Sequence, residues 1–558
     1  VLIDAAKSRS GWSLSGGLVA MVCLAGSFHC AVTIAAPQDA VWKPTPEYLE
    51  AQHAVIGEIE VDNANIFDPQ IPEENHALYR LANSLHVRTR PKIILRQLLF
   101  QSGDPFEQRL LEESERILRS NDYLRDAVIT PVRYADGVVD ILIHTVDVWT
   151  LDPRLSVGRS GGENNSSFGL KDSNLLGTGI HFGLFQKSNV DRDMTQFTLF
   201  DRELGNTRYS LGTSYSDNSD GYRAELAFGR PFYALEARRS SGLGLLSADQ
   251  VDSLYDRGEI QAKFRHQLQY HRIYAGISKG LENGWAHRHS IGFEYQEDRF
   301  APYTDETYPY SEVPEDRKYL IPYYEWQLIE DQYEEAHNHD QIGVTEDRFL
   351  GTLLNLRLGY ASRSFGSLEN ALFLDSTVRT GFGTSDSVSL ITSADFHSRL
   401  QGGEMNDTLM TLGATLHHRQ SDDWLLHVAL TGNLSHNLDL DHQLLLGGDN
   451  GLRGYPLRYQ GGDSSLLLTV EERLFTDWYP FHLIRIGAVG FFDAGRTWGV
   501  NPVGSENLGW LKDVGVGLRF GNTRSGIGRV VHLDLAFPLD GDSSIDSMQI
   551  LFKGHASF

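Results

Sequence analysis

From Asp152 to Phe558 apolar and polar positions alternate with period two, in segments of about ten residues broken by Gly- and Asp-rich turns. Ile180, Phe182 and Leu184 alternate with His181, Gly183 and Phe185. Tyr209, Leu211, Thr213 and Tyr215 share one side of their segment, and Ala224, Leu226 and Phe228 alternate with Arg223, Glu225 and Ala227. A tilted strand crosses a bilayer in ~9–11 residues, so the pattern predicts a mainly β chain built as a transmembrane antiparallel β-barrel. Roughly 400 residues predict about 16 strands, and 14 or 18 also fit. A soluble sandwich or propeller is the alternative that alternation alone leaves open. The acidic stretch Tyr323 to Arg348 holds Glu325, Glu330, Asp331, Glu334, Glu335, Asp340, Glu346 and Asp347; it cannot lie in hydrocarbon and is expected outside the cell surface.

Upstream the period changes. Residues 56–150 predict one small α+β domain of order β-α-α-β-β. Ile56–Val61 reads as a strand, and Lys92–Phe100 has helical spacing. Asp104-Pro105 opens a second helix with Glu107 as its capping-box carboxylate and Leu110, Leu111, Ile117 and Leu118 on one face. A hairpin follows, Ala127–Tyr134 and Val138–Val146 around Asp136-Gly137, with Pro131 marking an edge or bulge. An exposed edge of this sheet is a dock for an extended client peptide by strand addition. Residues 37–55, with Pro37, Pro44 and Pro46, read as a linker. Residues 1–36 predict an export signal: Lys7 and Arg9 precede Leu18, Val19, Met21, Val22 and Leu24, and the run ends small at Ala35-Ala36. A membrane anchor is the alternative, set against Gly16, Gly17, Ser27 and His29 in that run.

Composition narrows the function classes. With 49 Lys plus Arg against 74 Asp plus Glu the net charge is −25, which disfavours a nucleic-acid partner because phosphate contacts need cations. Both cysteines, Cys23 and Cys30, precede residue 36, so the rest of the chain has no thiol for disulfides, metal sites or nucleophilic catalysis. The 54 glycines and 11% aromatics suit long twisted sheet.

Five segments carry the more specific signal. Gly447-Gly448-Asp449-Asn450-Gly451-Leu452-Arg453-Gly454-Tyr455 resembles the sixth surface loop of the BamA/TamA outer-membrane assembly and two-partner-secretion transporter superfamily. Asn174-Leu175-Leu176-Gly177-Thr178-Gly179 is similar to that family's early barrel motif, and Phe492-Asp493-Ala494-Gly495 to its later Phe-x-Asp-x-Gly strand. Gly515-Val516-Gly517-Leu518-Arg519 and Leu533–Leu539 are similar to the penultimate strands. The resemblance spans residues 152–558, and the preceding unit resembles the family's polypeptide-transport-associated (POTRA) domain. A guanidinium folded into a lumen needs a carboxylate partner. Asp493 lies a strand, a turn and most of another strand beyond Arg453, and Glu471 or Glu472 on the intervening strand also reaches inward. The resemblance implies that Arg453 engages Asp493, with Glu472 as a further partner and Leu452, Gly454, Tyr455 and Gly495 completing the motif.

The resemblance further implies insertion or translocation of polypeptides at the outer membrane of a Gram-negative cell, with the POTRA domain in the periplasm. Expected partners are unfolded outer-membrane or secreted polypeptides, a bilayer with lipopolysaccharide, and an accessory periplasmic protein or lipoprotein. No enzymatic activity, cofactor, metal or nucleotide is implied. Residues 56–147 hold one POTRA unit where assembly factors carry several, a departure from the main assembly machine. A passive porin-like channel is the alternative, and a lipolytic enzyme a weaker one. Gly158-Arg159-Ser160-Gly161-Gly162 superficially resembles a serine elbow, which needs a following helix that the sequence lacks. His337, His339 and Asp340 beside Glu334 and Glu335 read as a solvated acidic loop before a cation site. His417-His418 and His287/His289 show no assembled partners in sequence.

Overall fold

The computed structural model describes residues 44–303, 313–504, 507–526, 530–543 and 545–555; the expected export signal lies outside them. The first element, α1 (Pro46–Ala51), lies inside the segment expected to be a linker. Thr45 caps it through its side-chain oxygen, Pro46 occupies its first turn, and Leu49 is fully buried in the N-terminal core. Proline at N1 starts helices as readily as it breaks chains, which is why composition alone misreads this stretch.

The module continues through β1 (Val55–Ala64), α2 (Ala77–Leu85), α3 (Pro91–Leu95), α4 (Gln108–Arg119), β2 (Leu124–Ala135) and β3 (Val138–Asp147). Its sheet has the order β1-β3-β2, with β1 parallel and β2 antiparallel to β3. Ile56, Ile93, Ile94, Leu111, Leu118 and Ile141 pack between sheet and helices. The Asp136-Gly137 turn takes φ of 51° and 80°, the paired left-handed geometry that closes a two-residue hairpin. Pro131 sits at a register shift on β2, an edge strand.

Three local expectations change. Helix α2 was not foreseen, and the Lys92–Phe100 helix shortens to α3. Helix α4 starts at Gln108 instead of after Asp104. Residues 104–106 run extended along β1, where the Ile56 amide donates to the Asp104 carbonyl (2.9 Å) and the Phe106 amide to the Ala54 carbonyl (2.8 Å). The Asp104 carboxylate is spent on the Gln101 amide, 2.9 Å away, and is not free to cap.

The remainder closes into one antiparallel barrel of 20 strands, from Leu151–Ser160 to Gln549–His555. That exceeds the expected 16. Several hairpins close through two residues, as at Arg257-Gly258 and Asn283-Gly284, so less chain is spent on connections than sixteen strands would allow. Alternation sorts the side chains: on Leu511–Asn522, Asp513 and Arg519 are buried inside while Val514, Val516 and Leu518 are exposed outside. The barrel closes between its first and last strands. Among the described residues Phe552 with Arg159 is the single ladder pair of that seam, whereas the last strand makes seven with its other neighbour, Val530–Pro538.

The module covers one end of the barrel, the near rim. Asn174 of the Asn-Leu-Leu-Gly-Thr-Gly segment donates to Thr89 Oγ1 (2.7 Å) and accepts from the Gly179 amide (2.7 Å), tying that turn to the module. Across the barrel seam on the same rim, the Arg524 guanidinium donates to the Ile66 carbonyl (2.7 Å) and pairs with Glu74.

Candidate functional site: two insertions that meet inside the barrel

Two connections leave the wall and fold into the lumen. From the far rim comes the segment between His436 and Ser464, whose short strands Leu444–Leu446 and Gln460–Gly462 pair with each other. Its tip is Leu452-Arg453-Gly454-Tyr455. Leu452 and Tyr455 are fully buried with Leu446, Tyr459 and Leu511. The Tyr455 hydroxyl donates toward the Lys512 and Asp540 carbonyls at 2.8 and 3.0 Å. Gly454 lies so close to the wall that a Cβ would sit 2.7 Å from Asp513 Cβ; one on Gly495 would press Leu446 and Leu452 at 3.1–3.2 Å. These motif glycines make room for the tip.

Arg453 ends in a three-way clamp. Its Nε and Nη2 donate to the two Asp493 oxygens at 2.7 and 2.9 Å, and Nη1 donates to Glu471 Oε1 at 2.7 Å. The guanidinium lies 3.5 Å above the Phe491 ring centre, adding a cation–π contact. The expectation for Glu472 is overturned. Side chains alternate along Ser464–Phe475, so Glu471 and Arg473 are buried inward while Glu472 points to the other face and accepts from Gln420 at 3.3 Å.

The second insertion corrects the placement of the acidic stretch. Tyr323–Glu330 belongs to the wall strand Arg317–Glu330. Beyond it, Tyr333–His337 and Thr345–Phe349 form a hairpin at the near rim, the module's side, with its tip in the lumen. Ile342 is buried there with Leu425, Phe475, Val489, Phe491, Ala536 and Leu551. The tip amides of His339, Asp340 and Gln341 all donate to the Glu346 carboxylate. The acids are counter-ions. Arg119 of α4 holds Glu335 and Asp347, each at 2.6 Å, and Arg116 pairs with Asp331 at 3.3 Å while lying over the Tyr333 ring.

The insertions meet on one carboxylate. Glu471 Oε1 accepts from Arg453, and Glu471 Oε2 accepts from Arg473 Nε at 2.9 Å. Arg473 Nη1 donates to the His339 carbonyl (2.9 Å) and reaches Asp340 (3.3 Å) at the hairpin tip. A continuous ionic chain thus joins the far-rim loop, the wall and the near-rim hairpin. Between α4 and the hairpin a cavity of about 1030 Å3 remains, lined by Arg116, Arg119, Tyr233, Arg288 and Arg348 among others.

His417, expected from sequence to have no assembled partner, joins a cluster here. His417 accepts from Arg348 Nη2 (2.9 Å) and shares a hydrogen bond with His427 (2.9 Å), while His339 accepts from Arg348 Nη1 (2.9 Å). Arg348 thus occupies the His339 ring nitrogen that a cation would take. Asp407, Asp439 and His442 gather near the far rim, but Arg399 holds Asp439 with two 2.8 Å bonds. Ser160 ends a strand, and its hydroxyl donates to the Gly448 carbonyl; no helix follows it. In the module, burial pushes the Glu115 carboxyl up to about 7 despite the Ile129 amide and Arg119 beside it.

No family model matches the sequence, and no curated protein matches it. Among solved structures the chain is similar to BamA from Haemophilus ducreyi lacking POTRA domains 1–3, with 13% identity and a TM-score of 0.40 over 89% of this chain and 84% of that one. It is also similar to CdiB from Acinetobacter baumannii (13% identity, TM-score 0.44, 90% and 73% covered). CdiB from Escherichia coli aligns at 13% identity and a TM-score of 0.47, over 90% of this chain and 76% of that one.

Proposed function

We propose that this chain is an outer-membrane β-barrel of a Gram-negative envelope that inserts or translocates other polypeptides, with the N-terminal module acting as a single periplasmic POTRA domain. The observation that carries this reading is the shared carboxylate of Glu471, on which the far-rim loop and the near-rim hairpin meet inside the barrel. A passive porin keeps a water-filled channel open. Here the chain's own segments enter that space and are held by ion pairs a passing client would exchange, which favours a gated conduit. Exposed apolar side chains on the outer face, such as Phe168, Ile277, Phe293 and Val516, suit contact with lipid.

In this reading a client collects at the module, and the α4–hairpin cavity with its arginines receives it. Release of Arg119 from Glu335 and Asp347 frees the hairpin, and the Arg453 clamp holds the far side until the client arrives. The seam between the first and last strands, with one ladder pair among the described residues, offers a sideways route for a client that pairs by strand addition. No step calls for a nucleotide, a metal or a nucleophile, and the reading is non-enzymatic.

Depletion of the protein followed by a survey of the cell envelope tests this. Loss of many barrels indicates insertion, and loss of one exported protein indicates dedicated secretion. Altered small-solute uptake alone would replace the proposal with the porin reading.

A further inference from the structure

Helix α2 carries an apolar stripe that the module does not use. At 100° per residue Leu78, Leu81 and Leu85 fall within about 60° of one another, and they are 53–68% exposed. The adjoining face is anchored. Tyr79 stacks on Phe67 and its hydroxyl donates to the Phe481 carbonyl, while the Asn83 side chain accepts from the Phe67 amide and donates to its carbonyl. The helix therefore cannot roll to bury the leucines. On its other flank lie Ser84 and Arg80, the latter bonded to Asn75.

What covers the stripe follows from where α2 sits. Its first turn touches the barrel turn at Pro480–His482 through Tyr79. The chain just past its end touches the turn Leu175–Gly177: a Cβ on Gly177 would meet Val87 Cγ1 at 3.5 Å, and the Arg90 amide donates to the Gly177 carbonyl. Those two turns flank the strands that meet at the seam, so α2 lies along the near rim beneath it. Both turns also point apolar groups outward, with Phe481 79%, Trp478 65% and Leu176 60% exposed. Val87 extends the set, and Ile484 continues it into the outward face of the next wall strand.

We infer that α2, with Trp478, Phe481 and Leu176, forms an apolar shelf seated in the phospholipid surface of the near-rim leaflet, directly under the barrel seam. This inference rests on the membrane-barrel reading above. Lipid fits better than a client strand: an extended peptide needs an open row of backbone donors and acceptors, which a helix face lacks, and the stripe is convex instead of grooved. An interfacial helix places apolar groups about 5–10 Å into the headgroup boundary and keeps polar ones in water, and aromatic residues concentrate at that depth. Leu78, Leu81 and Leu85 on one flank and Arg80 and Ser84 on the other meet that requirement.

The test uses the full chain with Cys23→Ser and Cys30→Ser, reconstituted in phosphatidylethanolamine–phosphatidylglycerol nanodiscs. An environment-sensitive dye is attached at Leu81→Cys, at Ser84→Cys, or at Val516→Cys on the outer wall. The inference expects a severalfold loss of Leu81 emission with lipid spin-labelled near the headgroup, and Ser84 emission quenched by aqueous iodide instead. Val516 quenched by lipid while Leu81 answers only to iodide overturns the shelf and leaves the barrel reading standing. Val516 unresponsive to lipid overturns the barrel reading itself. Protection of Leu81 from iodide only when a peptide of residues 549–558 is added identifies a peptide dock and overturns the lipid assignment.

Discussion

Replacing Arg453 by Ala should unseat the far-rim loop while the barrel still forms. The side chain makes three charge-assisted hydrogen bonds of 2.7, 2.7 and 2.9 Å and is 13% exposed, and Asp493 beneath it is fully buried. Glu471 keeps Arg473 after the substitution, but among the described residues no second guanidinium pairs with Asp493. The loss therefore falls on one stranded carboxylate. Breaking a buried pair from one side costs about 3–5 kcal/mol when the site is dry, and less as lumen water reaches it. Arg453→Lys keeps the charge but gives up the fork that spans both Asp493 oxygens, and should fall between wild type and Ala. The assay is limited proteolysis of residues 447–460 in detergent, paired with thermal unfolding followed by gel mobility. Arg453→Ala should cut faster in that segment and unfold earlier, and the double variant with Asp493→Ala should show a coupling of ~0.5–3 kcal/mol. Unchanged protection, an unchanged midpoint and additive single effects would refute the clamp.

Gly454→Ala should cost roughly 1–3 kcal/mol of stability by unfolding midpoint, because its Cβ would lie 2.7 Å from Asp513 Cβ and 3.1 Å from the Pro538 nitrogen. Ile342→Ala empties a buried position among Phe475, Val489 and Phe491; a loss of ~2–5 kcal/mol at the hairpin tip should appear as faster amide exchange over residues 338–343. Arg119→Ala removes the partner of Glu335 and Asp347 and should expose residues 333–349 to protease with the barrel intact. The Glu115 carboxyl, raised by burial to about 7, binds a proton in the folded module that the unfolded chain has already lost. Module stability should therefore fall as pH rises from about 4.5 to about 7, and Glu115→Gln should flatten that slope in a denaturant titration across pH.

The far-rim clamp was legible because its parts lie in contiguous strings: Leu452 to Tyr455 at a glycine-rich tip, and Asp493 within Phe492–Gly495. The choice between Glu471 and Glu472 was not, because Leu466-Leu467-Leu468 puts an apolar residue on both faces and hides the parity that places Glu471 inside. The hairpin was misplaced because its acids read as a solvated loop, while the arginines that neutralise them are remote in sequence. Asp347 meets Arg119 across 228 positions, and Asp340 meets Arg473 across 133. Strand alternation revealed the barrel but not its size, since period two fixes the face of each residue and not where a hairpin turns. Leu78, Leu81 and Leu85 carried the i, i+3, i+7 spacing that would have marked α2.

Current through a planar bilayer tests most directly whether the lumen is closed by the chain itself. The full chain should insert and stay closed, and a variant lacking residues 333–349 should conduct in discrete steps, with a further rise when Arg453→Ala is added. A full chain that conducts as freely as the deletion variant would contradict this closure.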